Sequence, residues 1–185
     1  MDKLDELSIT GVNVKISLRG VHLPFLNLNE GKLELHESTI AGLMKSNGYL
    51  LLDKVTAKTV DSYGALLCVS SNISTDIVKV MEGMLVAYKS SFDEISLFRC
   101  KCSLDCCTVE KNVVYRHPKY WPFSISKFFR GQERLSVDGD TVIKGDVIFE
   151  QGGGEVILSH EARIEGEVIG AQVWRRPEGS KSFPY

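Results

Sequence analysis

Four stretches of the chain share one pattern of glycine, apolar and small polar positions. They begin at Gly31, Gly48, Gly64 and Gly83, and their starts lie 17, 16 and 19 residues apart. Positions three and five of each stretch are mostly leucine. Because side chains alternate between the two sides of a strand, these two positions share one side. The pattern therefore predicts one short strand with an apolar side in every repeat.

The ungapped alignment predicts which side chains stack on one another. The glycines mark a bend that needs backbone freedom. The apolar columns are Leu33, Leu50, Leu66 and Leu85, then Leu35, Leu52, Cys68 and Ala87, then Ile40, Ala57, Ile73 and Phe92. A polar column holds Thr39, Thr56, Asn72 and Ser91, whose side chains can hydrogen-bond along the stack.

This repeat predicts a parallel β-solenoid. A strand this short cannot bury its apolar side alone, whereas stacked copies make a continuous core. Helical repeats need a 3.6-residue period, which these segments lack. The alternative is an antiparallel sandwich with coincidental spacing. We expect an all-β fold, a single-stranded parallel β-helix with an N-terminal cap and an aromatic-rich insertion.

The whole chain is expected to form one solenoid domain over residues 1–173. Residues 1–30 would be the cap, in which Leu23-Pro24-Phe25 breaks the ladder because proline cannot donate. Coils follow over 31–115, and a fifth coil begins at Cys100 in the place of glycine. An insertion over 116–134 separates these coils from C-terminal ones over 135–173. A polar tail, 174–185, ends the chain.

The insertion is rich in aromatic and basic side chains, and two interpretations stay open. Its aromatic residues could fold back to cover one face of the core, or they could form an exposed patch that binds a partner. In the second case the binding residues are Tyr120, Trp121, Phe123, Phe128, Phe129 and Arg130.

Four of the five cysteines lie within eight residues, as Cys100, Cys102, Cys106 and Cys107. On one strand, Cys106 would share a side with Cys100 and Cys102, and Cys107 would face the other way. Those three thiolates with His117 form an alternative zinc site, although the spacing is not that of paired CxxC motifs. The competing interpretation is that cysteine fills a narrow core as a small apolar residue.

Other polar motifs give little sign of catalysis, and we predict no catalytic residue, metal or cofactor. One outward row would read His36, Asp53, Val69, Tyr88 and Asp105. At about 4.8 Å per coil, Asp53 and Asp105 would lie about 14 Å apart, too far for a pair of glycosidase carboxylates. The run Gly152 to Gly154 lacks the ending of a phosphate-binding loop and is better explained as a turn.

Composition and charge exclude several classes of protein. The net charge of −2 offers no basic excess for nucleic acid. No run approaches the roughly 18 apolar residues of a membrane helix, and the first residues lack an apolar signal core. An odd number of cysteines without a signal peptide favours reduced thiols. We therefore expect a cytoplasmic protein.

The C-terminal coils repeat at an offset of 21 residues, with Ile143-Lys-Gly-Asp-Val matching Ile164-Glu-Gly-Glu-Val. This motif resembles the I-x-G-x-(V/I) coils of bactofilins, polymer-forming cytoskeletal proteins, over residues 140–173. The resemblance implies a right-handed β-helix and end-to-end self-assembly; it does not imply an active site.

Taken together, these features favour a non-catalytic scaffold that binds itself or another protein. The alternative is a β-helix that binds or processes carbohydrate along one flank.

Overall fold

The structure, a computed structural model, describes residues 7–10, 14–116 and 133–177, with the backbone alone described at positions 10, 46 and 65–70. Every regular element in these ranges is a β-strand, and the paired strands run parallel. The strands stack into a parallel β-helix of about eight turns. This confirms the predicted fold class.

The strands of the first half are β1 (Leu7–Thr10), β2 (Lys15–Arg19), β3 (His22–Asn29), β4 (Lys32–His36), β5 (Thr39–Asp53), β6 (Thr56–Ser71), β7 (Ser74–Tyr88) and β8 (Ser91–Asp105). Those of the second half are β9 (Thr108–Val109), β10 (Val113–Tyr115), β11 (Arg134–Asp138), β12 (Val142–Ile143), β13 (Val147–Phe149), β14 (Gly154–Leu158), β15 (Arg163–Ile164), β16 (Val168–Ile169) and β17 (Ala171–Arg175). Strands β5 to β8 are long because their ladders continue around the corners of a coil.

Each coil has three faces, which β5 illustrates. Face A is the short segment 39–40, face B is 42–46 and face C is 49–53, and each pairs with the next coil. Position 41, at the corner between faces A and B, pairs with nothing. The predicted ladder break at Pro24 falls at this corner of β3, so the ladder continues on both sides of it. Proline is tolerated there because no backbone donor is needed.

The other two corners use left-handed backbone. Between faces B and C, Asn47 and Gly48 have φ of 52° and 97°. A Cβ on Gly48 would lie 2.1 Å from the carbonyl oxygen of Gly31, so close approach as well as φ requires glycine at position 48. Between faces C and A, one residue per coil turns the chain: Gly20, Glu37, Lys54, Asn72, Lys89, Cys106 and Gly139.

The interior is a set of apolar columns that run along the solenoid axis. Leu33, Leu50, Leu85, Cys102, Leu135 and Val156 form one column on face C. On face B, the Tyr115 and Phe149 rings stack with centroids 4.1 Å apart, and the Tyr115 hydroxyl donates to the Arg134 carbonyl at 2.9 Å. Burial of these columns supplies most of the stabilisation.

One coil departs from the ungapped alignment. Gly48 pairs with Ala65 instead of Gly64, and the register shifts by one further residue after Gly48, so that Cys68, not Leu66, pairs with Leu50. The prediction for this coil was therefore wrong from Gly64 onward. Ser74 and Thr75 occupy the columns that Asn72 and Ile73 were expected to fill. Asn72 instead turns the chain with a φ of 51°, a backbone region that asparagine tolerates better than most residues.

The fifth coil and the C-terminal repeat are confirmed. Cys100 pairs with Gly83, and Thr108 pairs with Ser91. Val147 pairs with Val168, at the predicted offset of 21.

The repetition of glycine in the C-terminal motif has a physical cause. A Cβ on Gly166 would lie 2.5 Å from the Gly145 carbonyl oxygen, so only glycine fits. The side chain that follows this position accepts a hydrogen bond from a backbone N–H of the following coil. Asn112 Oδ1 accepts from Asp146 N at 2.8 Å, and Asp146 Oδ1 accepts from Glu167 N at 2.9 Å.

Both chain ends continue the coil pattern. The segment predicted as a cap pairs like the other coils, since β1 pairs with β3 and β2 with β4. At the other end, β17 runs two residues past the predicted boundary at 173, and Arg176 Nη1 reaches Asp138 Oδ1 at 2.6 Å.

Candidate functional site

The six residues predicted to bind a partner, Tyr120, Trp121, Phe123, Phe128, Phe129 and Arg130, lie outside the described residues, and so does His117. The structure does show where the insertion begins and ends. Strand β10 ends face B at Tyr115 and β11 begins face C at Arg134, so the insertion replaces one B–C corner. Ion pairs hold both flanks, from Arg116 to Glu94 at 3.1 Å and from Arg134 to Glu155 at 2.7 Å.

The cysteine cluster is mostly core. Cys100, Cys102 and Cys107 are buried, and Cys106 is half-buried. The Cys100 thiol donates to the Val80 and Phe98 carbonyls, and the Cys107 thiol donates to the Asp105 carbonyl. Burial raises the pKa of Cys100 to about 12 and that of Cys107 to about 11. Protonated thiols in these positions act as small core side chains.

The expected orientation of this cluster is wrong at two positions. Strand β8 ends at Asp105, and Cys106 adopts a φ of 53°. The turn breaks the alternation, so Cys107 rather than Cys106 joins the core side. Among the described residues, no three His, Cys, Asp or Glu side chains converge as metal ligands.

The outward polar row on face C also differs from the sequence alignment. It reads His36, Asp53, Ser71, Tyr88 and Asp105, with Ser71 where Val69 was expected. Ser71 Oγ donates to Asp53 Oδ1 at 2.8 Å, and His36 Nδ1 lies 3.6 Å from Asp53 Oδ2. The hydrogen bond from Ser71 lowers the pKa of Asp53. Because the serine donates to the carboxylate instead of to the histidine, this trio does not have the nucleophile–base arrangement of a hydrolase.

A pair of aspartates on the same row was missed in the sequence. Asp105 pairs directly with Asp138 in the next coil. Asp138 and Arg176 are both nearly buried and form an ion pair at 2.6 Å. Burial raises the pKa of Asp138, and the Arg176 guanidinium opposes this. The pair ties the residue that follows β17 to a coil two turns back along the solenoid.

The C-terminal coil leaves the core partly uncovered. Val173 continues an inward column of face C, yet its side chain is 45% exposed. Ile169 is 45% exposed and Trp174 is 56% exposed. Ile164 and Val168 complete the inward side of this coil and are only partly buried. The described part of the solenoid therefore ends on an apolar surface.

A second surface feature is a groove along face A. Its cavity volume is about 550 Å³, and it extends from His22 past Thr39 and Thr56 to Ser74, with Lys58 and Asp76 at one side. Leu23, Pro24 and Ile40 also line it, together with Ala41 and Ala57. This groove was not predicted, because the extra residue in β6 hid the alignment of Ser74 with the two threonines.

Comparison with known proteins yields no relative. No family model, no curated protein and no solved structure matches the chain. Within the described residues, the structure contains no helix long and apolar enough to cross a membrane. Any assignment of function must therefore rest on the surfaces of the solenoid itself.

Proposed function

We propose that this protein is a non-catalytic β-helix scaffold that assembles head to tail with other copies of itself. The observation that carries the proposal is the apolar C-terminal coil, in which Val173 lies half exposed at the end of an inward column. In the described coils before the last one, this column is covered by the next coil. A second copy would cover it in the same way.

The free edge of the last strand favours such an addition. Strand β17 pairs with β14, and no described strand pairs with its other edge. Natural proteins blunt open edges with charges, but the segment Ala171-Gln-Val-Trp174 carries none. Apart from Arg175 at its end, this edge strand is therefore uncharged, and unpaired backbone groups on such an edge are a template for another strand.

The opposite end of the solenoid offers matching columns. Ile16 begins the column that ends at Val173, and Leu7 begins the column that ends at Val168. Both N-terminal residues are only partly buried. Stacking of one copy on the next continues the parallel register that every coil already uses, so no new packing geometry is required.

One charge at this surface moderates the association. Arg175 lies exposed at the end of the inward column that contains Leu158. An inward charge on an edge strand opposes unlimited stacking. We therefore expect reversible, concentration-dependent assembly.

Two further features agree with this proposal. The bactofilin-like motif over residues 140–173 implies end-to-end assembly, and it forms the coils next to the open end. The insertion, through Tyr120 to Arg130, stays the predicted site for another protein. We place the scaffold in the cytoplasm because Cys100, Cys102, Cys106 and Cys107 are free thiols, as is usual in reducing compartments.

The test is light scattering coupled to gel filtration across a concentration series. The parent protein is expected to form a ladder of oligomers. Val173→Lys should weaken association at least about tenfold, because it places a charge in the contact, which is worth about 1.4 kcal/mol or more. The matched control is Gln172→Lys, which adds the same charge to the outward side of β17 and should assemble like the parent.

Two outcomes would count against the proposal. One is a sharp monomer at all concentrations of the parent protein. The other is unchanged assembly of Val173→Lys, which would place the contact elsewhere on the solenoid.

A further inference from the structure

The groove on face A contains a straight column of polar side chains. His22, Thr39, Thr56 and Ser74 pair in register through four successive coils, and Ser91 follows in the fifth. All five side chains are exposed. Because parallel strands stack about 4.8 Å apart, the column repeats a polar group at that interval over about 19 Å.

The hydroxyl groups of this column are available to a ligand. Thr39, Thr56 and Ser74 make no side-chain hydrogen bond to another described residue. Faces B and C differ, since ion pairs link the coils there, for example Arg134 with Glu155 at 2.7 Å and Lys79 with Asp61 at 3.8 Å. Face A therefore presents unused hydroxyl donors and acceptors where the other faces present paired charges.

The groove is also rigid and open. Small Ala41 and Ala57 side chains are among its lining residues. The backbone ladder fixes the spacing of the column, and the β-branched threonines have few rotamers to lose. A preorganised array of this kind binds with a small entropy cost.

Charge limits the class of ligand. Lys58 and Asp76 lie at one side of the groove in adjacent coils and carry opposite charges, so together they contribute no net charge to the lining. Such a groove favours a neutral ligand over a phosphate polymer or an acidic peptide. A neutral ligand that offers hydroxyl groups at regular intervals along a straight chain is an extended polysaccharide.

We propose that face A binds an extended, uncharged polysaccharide along the solenoid axis. Each sugar hydrogen-bonds to one hydroxyl of the column, while Lys58 donates and Asp76 accepts at the side. No Trp, Tyr or Phe is among the described lining residues, so stacking on rings contributes little. Affinity comes from repetition of modest hydrogen bonds, each worth about 1 kcal/mol.

The test is isothermal titration calorimetry of the full chain with cellohexaose and chitohexaose, whose chains are extended. Maltohexaose, with the same number of sugars in a bent chain, is the ligand control. The variant Thr39→Val/Thr56→Val/Ser74→Ala removes three hydroxyl groups and keeps the side-chain size. It should bind at least about tenfold more weakly than the parent. Its control, Ser17→Ala/Ser136→Ala, removes hydroxyls from face C.

The expected result is binding of an extended oligosaccharide by the parent and the control variant, and its loss in the triple variant. Failure of the parent to bind either extended probe would overturn the proposal, and so would equal binding by the triple variant. Equal binding of maltohexaose would contradict the match to an extended chain. Light scattering of the triple variant should show unchanged assembly, which separates this site from the coil-end contact.

Discussion

Lys45 and Ser62 pair in adjacent coils of face B, and both side chains are fully buried in the core. Leu28 and Val80 occupy the same column in the coils on either side. The Lys45 ammonium donates to the Asn47 carbonyl, and burial lowers its pKa. The Ser62 hydroxyl has no hydrogen-bond partner among the described residues. The centre of the solenoid thus contains a polar site among apolar columns.

The first prediction is that Lys45→Met stabilises the protein. Methionine keeps the length of the side chain and removes the cost of burying an amine, so the free energy of unfolding should rise by about 1–3 kcal/mol. Urea denaturation measures this. The exposed Lys58→Met should change it by less than about 0.5 kcal/mol. A loss of stability in Lys45→Met would show that the bond to Asn47 outweighs desolvation.

The same site gives a pH dependence with a definite sign. The folded-state pKa of Lys45 lies below its ordinary value of 10.5, so between the two the unfolded chain binds more protons than the folded chain. The stability deficit due to Lys45 should therefore shrink as pH rises through this window. The buried thiols have raised pKa values, so their effect is opposite: they should lower the stability of the fold as pH rises. The difference in the free energy of unfolding between the parent and Lys45→Met gives the contribution of the lysine alone. A difference that stays constant up to pH 10.5 would contradict the burial of Lys45.

A second prediction concerns the cap that Asp146 provides to the last coil. Asp146→Ala leaves the Glu167 N–H without its acceptor and should lower the free energy of unfolding by about 1–2 kcal/mol. Asp146→Asn keeps an acceptor oxygen and should lose much less. Glu161→Ala, at an exposed position, serves as the control. Equal losses for the alanine and asparagine variants would point to charge instead of the hydrogen bond.

A third prediction uses thiol chemistry. Alkylation of the native protein with iodoacetamide, followed by peptide mapping, should modify Cys106 before Cys100, Cys102 and Cys107, because those three are buried. Reaction at Cys106 should still be slow, since burial raises its pKa to about 11. Rapid modification of Cys100, or protection of Cys106 by added zinc, would favour the metal-site alternative.

A fourth prediction concerns Arg175 at the open end. Arg175→Leu removes the one charge from an inward column of the last coil and should strengthen self-association by about tenfold. Arg163→Leu, which removes an exposed arginine from face A of the same coil, is the control. Sedimentation velocity compares the two. Unchanged association of Arg175→Leu would mean that this column lies outside the contact.

Sequence periodicity was enough to predict the solenoid because every coil repeats its apolar positions. It also placed Cys100 in the glycine column correctly. It failed at β6, where one extra residue shifts the register, since an ungapped alignment has no means to detect a bulge.

The sites were harder to predict than the fold. Asp105 and Asp138 are far apart in the sequence because an insertion lies between them, yet they belong to adjacent coils and pair directly. Lys45 was not expected in the core, since lysine is rarely buried. The exposure of Val173 depends on which coil is the last one in the stack. The local pattern of apolar and polar residues does not indicate that.

The most direct test of the central claim mixes two variants with opposite ends damaged. Ile16→Lys damages the N-terminal coil, and Val173→Lys damages the C-terminal coil, so two damaged ends carry like charges and cannot rescue each other. Head-to-tail stacking predicts, by gel filtration with light scattering, that each variant alone is monomeric and that an equimolar mixture forms a dimer and nothing larger. Oligomers of Ile16→Lys alone would contradict this account, because they would show that the C-terminal coils meet each other. A mixture that stays monomeric while the parent assembles would place the contact away from the coil ends.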